Sequence, residues 1–363
     1  MSDAVGLMLT QFMTIAGFLV ARNVLTTAES QKDILRIFVI AGLVFTIPVL
    51  VEVRLSPQLN TWVYGFFQHL FSQAMRGGGF RPMVFLEHGI WVAFFVMMTT
   101  MFAFALFKGE TSAAKARYLL AGLYLLVVLT LCKTLAPLIY AGLVGALILF
   151  ASHRLQTHVA ALLAVLALAY PLMKGAHIVP ERFMLEQAAK VSAERAQSLA
   201  FRFENENGLL QRAELKPVFG WGSWGRNQER DAFTGEIESV TDGRWIIALG
   251  MYGWVGFLAE FGLLSLPIFM IWRQQVRPRA NKVDRRHNTS SRWTQFEISP
   301  YAGAIALVLA INLVDLLPNA TLTPLTWLLA GALLGHAEQM TRWRKEEQKA
   351  TDSQPSPRKR TYM

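Results

Sequence analysis

The chain carries one cysteine, Cys132, in 363 residues. That excludes an internal disulfide and any metal site assembled from several thiolates. Charge is also scarce: 17% of residues are Asp, Glu, Lys or Arg, against about 25% in an ordinary soluble domain. There is no DxD-like pair, no HExxH and no close histidine cluster, so no metal or other cofactor is expected. Met1–Gly6 has no basic group and includes Asp3, so a cleavable signal is not expected either. What is abundant is apolar material: 53% of residues, a mean hydropathy of +0.34, and runs such as 35–51 and 84–107. These runs approach the roughly 20 residues that span a bilayer. An ordinary soluble enzyme is excluded.

Nine candidate membrane segments can be read at about 5–21, 35–53, 84–107, 118–132, 134–150, 159–173, 245–272, 298–317 and 320–335. Lys133, with Pro137 after it, divides the run 118–150 into two helices joined by a tight turn. The fold class expected is therefore all-α: a polytopic transmembrane bundle of about nine spans. It divides into N-terminal helices (1–173), a long loop (174–244), C-terminal helices (245–335) and a basic tail (336–363), read as disordered from Lys349 onward.

Lys and Arg are retained preferentially in cytoplasmic loops. The loops 22–36, 108–117, 151–158, 273–297 and 335–363 hold 21 of the 35 basic residues, with nine acids, for a net +12. The loop 174–244 has ten basic residues and eleven acids. This places the N-terminus outside and the C-terminus inside. The net charge of +10 then needs no nucleic acid: the clusters Arg273–Arg292 and Arg342–Arg360 are topogenic charge against anionic lipid.

The loop 174–244 is too long for a simple connection, which makes it a functional candidate. Glu181–Phe203 reads as a helix after Pro180, placing Arg195 and Arg202 two turns apart on one face. A further helical stretch follows at Leu209–Leu215. In Pro217–Asn227 three glycines alternate with Trp221 and Trp224. Such a turn either exposes backbone N–H groups as a phosphate-holding nest or merely caps the bundle. Trp245–Trp272 is too long for one straight span, and Gly250, Gly253 and Gly256 predict a bend or close packing. Glu260 and Asp315 lie inside apolar segments, where charge is costly and often functional.

Arg202-Phe203 followed by Leu215-Lys216-Pro217-Val218-Phe219-Gly220-Trp221-Gly222 resembles the "R…PLxGxG" passage of the O-antigen ligase and polymerase superfamily. Asp242-Gly243-Arg244-Trp245-Ile246-Ile247 and Gly253-Trp254-Val255-Gly256 resemble its short polar motif before a helix carrying "GxxG". Arg76-Gly77-Gly78-Gly79-Phe80-Arg81-Pro82 is similar to its first external arginine site, and Leu131-Cys132-Lys133-Thr134 to its "SR" or "SK" turn. The likeness covers about 76–272 and is most specific over 195–262. Where many ligases have His-Asn, this chain has Asp242-Gly243, which suits the polymerase-like branch. Nine spans are also fewer than the usual ten to twelve.

The resemblance implies a bacterial inner-membrane enzyme of surface polysaccharide biosynthesis. It would transfer a polyprenyl-pyrophosphate-linked glycan to a glycan or lipid acceptor at the periplasmic face, with membrane lipids and polysaccharide-assembly proteins as further candidate partners. A pyrophosphate needs several cations, Arg above all because its fork binds phosphate bidentately. Arg76, Arg81, Lys133, Arg195, Arg202 and Arg244 are the candidates, with Gly220, Trp221 and Gly222 shaping the site. Asp242 is the first choice for taking the acceptor's proton, then His177, with Glu87 and His88 behind. Plainer readings compete: Arg195 and Arg202 paired with nearby glutamates, Lys133 snorkelling at the interface, the tryptophans as anchors. Two other functions stay open, a transporter of an anionic solute and a non-catalytic scaffold in a polysaccharide-assembly complex.

Overall fold

The structure, a computed structural model, describes residues 2–76, 78–231, 233–276 and 298–352. These form twelve helices: α1 (Ser2–Val24), α2 (Ala28–Leu55), α3 (Leu59–Tyr64), α4 (Gly89–Gly109), α5 (Lys115–Leu131), α6 (Leu135–Phe150), α7 (His153–Gly175), α8 (Glu181–Val191), α9 (Ala193–Glu214), α10 (Arg244–Val276), α11 (Ala302–Asp315) and α12 (Pro324–Asp352). The remaining ladder is a two-residue antiparallel hairpin, β1 (Met75–Arg76) with β2 (Gly79–Phe80).

α4 and α11 are apolar around their whole circumference and almost wholly buried, as such helices must be. α4 packs against α2, α5 and α6, while α11 lies mainly against α7 and α10. α2, by contrast, turns Ile37, Ile40, Val44 and Ile47 outward, and α7 does the same with Leu162 and Val165. Apolar faces of this extent are stable against hydrocarbon and not against water. Four helices, α2, α4, α7 and α10, are long and apolar enough to cross a bilayer, which suggests a multi-pass membrane protein. α1 and α12 pack through glycines: a methyl on Gly331 or Gly335 would collide with the carbonyl oxygens of Phe18 and Arg22. That is the small-xxx-small crossing that lets two membrane helices approach closely.

Each of the nine expected segments falls on a helix, with several corrections. α5, α6 and α11 are shorter than the roughly 20 residues of a full span. The segment expected from 84 starts at Gly89, because 81–88 is loop. Glu181–Phe203 is not one helix: the backbone at Ser192 is extended (φ −169°, ψ 141°), and α9 runs on through the stretch expected separately at 209–215. Serine favours such breaks because its hydroxyl competes for backbone groups. α10 breaks at Gly253 (φ 65°, ψ −166°), the middle of the three glycines expected to mark a bend. The tail is helical to Asp352 rather than disordered from Lys349; the rest, 353–363, and most of the basic cluster Arg273–Arg292 lie outside the described residues.

Among the described residues, the charge-rich loops gather at one end. Arg22 pairs with Glu338 at 2.7 Å, Lys32 with Glu110 at 2.7 Å, and Lys108 Nζ donates to Ile148 O at 2.8 Å. The opposite end collects 56–88, 132–134, 176–243 and 316–323. There Glu52, buried at the last turn of α2, accepts from Leu59 N (3.0 Å), Met83 N (2.8 Å) and Val84 N (2.6 Å). Val84 has φ 53°, a left-handed conformation that costs a non-glycine residue about 1–2 kcal/mol, and the carboxylate offsets it. Glu52→Ala strands three donors, so thermal unfolding should show a loss of roughly 2–4 kcal/mol. Glu52→Gln, which keeps acceptor capacity, should lose less.

Candidate functional site

The hairpin brings Arg76 and Arg81 to this end. Arg81 is 3% exposed. Its backbone N–H donates to Ala74 O (2.7 Å), its Nε donates to Thr134 Oγ1 (3.1 Å), and its alkyl chain runs across Gly89, where a Cβ would be 2.8 Å from Arg81 Cγ. Lys133 takes φ 51° in the α5–α6 turn, and its Nζ donates to Arg76 O at 3.0 Å across Gly79. Arg202 comes from α9. Its Nε is 3.3 Å from Asp242 Oδ2, and its Nη1 donates to Pro318 O at 3.3 Å. Asp242 is itself held by the next two residues. Gly243 abuts Leu317 O too closely for any Cβ, and Arg244 N donates to Leu316 O (2.9 Å) and Asn319 O (3.1 Å).

These cations feel one another. Burial, and then the charges of Arg76 and Arg202, pull the Arg81 guanidinium down to about 10. Burial, with Arg81 and His69 next and Arg76 and Arg202 behind them, pushes His88 down to about 4. Like charges crowded in a partly desolvated place disfavour their own ionised forms, and an anion entering among them relieves that cost. Among the described residues no carboxylate lies within ion-pair distance of Arg81. His88 is an N-cap whose Nδ1 accepts from Ile90 N at 3.1 Å, so the neutral ring carries its hydrogen on Nε2. That nitrogen lies 3.4 Å from Gln73 Oε1, to which it donates, so neither ring nitrogen is free to act as a base.

Four of the six expected pyrophosphate ligands, Arg76, Arg81, Lys133 and Arg202, are therefore gathered with Asp242. Arg244 is not available: it pairs with Glu260 through both guanidinium arms, Nε to Oε1 at 2.7 Å. This supplies the partner that Glu260 lacked in the sequence. Arg195 lies on α9, and its side chain is outside the described residues. His177 is exposed in the turn after α7 with φ 55°.

The glycine–tryptophan turn is not an open nest. Trp221 N donates to Gly250 O (2.8 Å) and Gly222 N to Met251 O (2.9 Å), while Trp254 N and Val255 N donate back to Pro217 O and Val218 O. The turn thus satisfies the backbone groups released where α10 breaks at Gly253. Positive φ at Gly220, Gly222 and Gly225 makes the fit possible. Trp221 is also engaged: its Nε1 donates to Arg212 O (2.8 Å), and Arg212 and Lys216 lie 4.4 and 4.1 Å from its ring centre. Trp245 is buried against Tyr170. Only Trp224, of these three, is exposed.

Sequence reasoning missed two contributors. The α11–α12 loop, 316–323, forms the floor beneath Arg202 and Asp242, and is organised by buried Asp315, which accepts from Thr321 Oγ1 (2.7 Å) and Asn319 Nδ2 (3.1 Å). An acid ending an apolar helix was its only signal. The other is Lys174, with a fully enclosed side chain. It reaches Glu181 (2.6 Å) and Glu206 (3.4 Å) and lies 4.5 Å from the centre of the Phe203 ring. This ties α7 to α8 and α9 beside Arg202. Among the described residues no three His, Cys, Asp or Glu gather as a metal site. No protein-family model matches the chain, and no curated protein or solved structure matches it.

Two outcomes follow from this geometry. Breaking the Arg244–Glu260 pair from one side should cost about 3–5 kcal/mol, and the double variant Arg244→Met/Glu260→Met should recover much of it; a double-mutant cycle on thermal stability reads this. For His88, the unfolded ring takes up a proton near pH 6.5 but the folded ring only near 4. Stability should therefore fall as pH drops through that window, by about 1–2 kcal/mol for a partly screened ring. His88→Asn, which keeps a capping side chain, should flatten that stretch of the pH profile of thermal unfolding.

Proposed function

We propose that this protein is a polytopic inner-membrane glycosyltransferase of the O-antigen ligase and polymerase kind, acting on a polyprenyl-pyrophosphate-linked glycan at the periplasmic face. Its nine apolar segments would be spans, with the N-terminus periplasmic and the C-terminus cytoplasmic. One observation carries the reading: Arg76, Arg81, Lys133 and Arg202 converge from three separate stretches of chain on the end opposite the charge-rich loops, beside the Asp242 carboxylate.

In that reading the acceptor hydroxyl oxygen forms a bond to the anomeric carbon as the bond from that carbon to the pyrophosphate oxygen breaks. The electron pair leaves with the lipid pyrophosphate, and Arg81, Arg202 and their neighbours stabilise the developing charge. The hydroxyl proton passes to Asp242, which Arg202 orients. Cations grouped at one interface rather than at mid-membrane favour this over a solute channel, and the resemblance of 195–262 to the superfamily supports it.

In lipid, with polyprenyl-pyrophosphate oligosaccharide and acceptor supplied, the wild type should release lipid pyrophosphate as glycan is transferred. Arg202→Ala and Asp242→Asn should each lower the rate by about 100-fold or more. Transfer by Arg202→Ala at the wild-type rate would sink the mechanism.

A further inference from the structure

We infer that residues 59–75 lie flat in the membrane interface, a lipid-binding segment that leads directly into the cationic hairpin. Between Arg54 and Arg76 the chain has no Asp, Glu, Lys or Arg, yet this stretch, with the short α3 and a single 3-10 turn at Phe71–Ala74, only connects α2 to β1 and is not a span. Its large side chains point outward: Trp62 is 59% exposed, Tyr64 63%, Phe66 59% and Leu70 65%. Left in water, so many exposed apolar groups would be costly.

The backbone beneath these side chains is pinned. Glu52 accepts from Leu59 N, Asn60 Nδ2 donates to Phe66 O at 2.8 Å, and Gln68 Nε2 donates to Val84 O (2.9 Å) and Leu86 O (3.0 Å). The polar groups thus turn inward and the aromatic groups outward, the arrangement of a segment buried on one side in lipid. Two features select a bilayer over a protein partner. The outward face continues from Ile40, Val44, Ile47 and Leu55 of α2, a helix long and apolar enough to cross a membrane. Trp and Tyr are the residues that settle at headgroup depth, and exposed Arg54 and Arg76 flank the segment, where lipid phosphate would meet them. The placement is independent of the reaction performed at the cationic end.

Trp62→Cys, Tyr64→Cys and Phe66→Cys, each made singly in a Cys132→Ala background, can be spin-labelled in vesicles of phosphatidylethanolamine and phosphatidylglycerol. Val44→Cys serves as the lipid-facing reference and Phe233→Cys, 98% exposed, as the aqueous one. Collision with oxygen should exceed collision with a nickel chelate, giving a depth of about 5–10 Å below the phosphates, and chelate collision should be several-fold below that at Phe233→Cys. Chelate collision equal to that at Phe233→Cys would put the segment in water and overturn the inference. Low collision with both probes, with spin–spin broadening that grows with protein density, would show a second copy of the chain covering it and overturn it equally. Three sites on one face keep the outcome readable if any one variant misfolds.

Discussion

A backbone or charged group that leaves its helix inside an apolar bundle has no water to turn to and must find a partner in the protein. Much of the architecture answers that constraint. Where α10 breaks at Gly253, the 217–222 segment supplies both donors and acceptors for the released peptide groups. Where α2 ends, Glu52 gathers three amides from two other stretches of chain. Arg244 is matched by Glu260, and Lys174 by Glu181 and Glu206.

Against that background the group around Arg81 is the exception. Arg76 and Arg202 add to the cost of a charged Arg81, and among the described residues the carboxylate paired with this group, Asp242, belongs to Arg202. Buried Glu52 and Asp315, without an ion-pair partner among the described residues, are met by several amide and hydroxyl donors; the crowded guanidinium groups are, in the proposed function, where an anion would bind. The supports are themselves secured elsewhere: α9 by Lys174, the hairpin by the Lys133 turn, and Asp242 by the 316–319 carbonyls. The uncharged, aromatic 59–75 segment leads into the hairpin that carries Arg76 and Arg81.

The helical frame was legible in the sequence because its signals are local. Apolar length, the charge divide at Lys133 and the glycines of α10 each act within a few turns. Arg202 and Asp242 were legible as candidates through the resemblance, but their ion pair, across forty residues of chain, was not. The glycine–tryptophan turn carried two readings, nest or cap, because a glycine-rich loop exposes N–H groups in isolation; its docking on 250–251 uses them and makes it a cap. The pairing of Arg244 was hidden because Glu260 lies sixteen residues away, four turns and more along the helix, until the Gly253 break brings the two side chains together.

The sequence by itself determined an all-helical, apolar chain, the spacing of its basic loops, and the approximate position of its nine apolar segments, since hydrophobicity and turn chemistry are properties of contiguous residues. Tertiary structure alone decided which charges are spent on one another and which are left over. Both kinds of arginine look alike along the chain; whether a carboxylate reaches one depends on how distant segments pack at the end of the bundle.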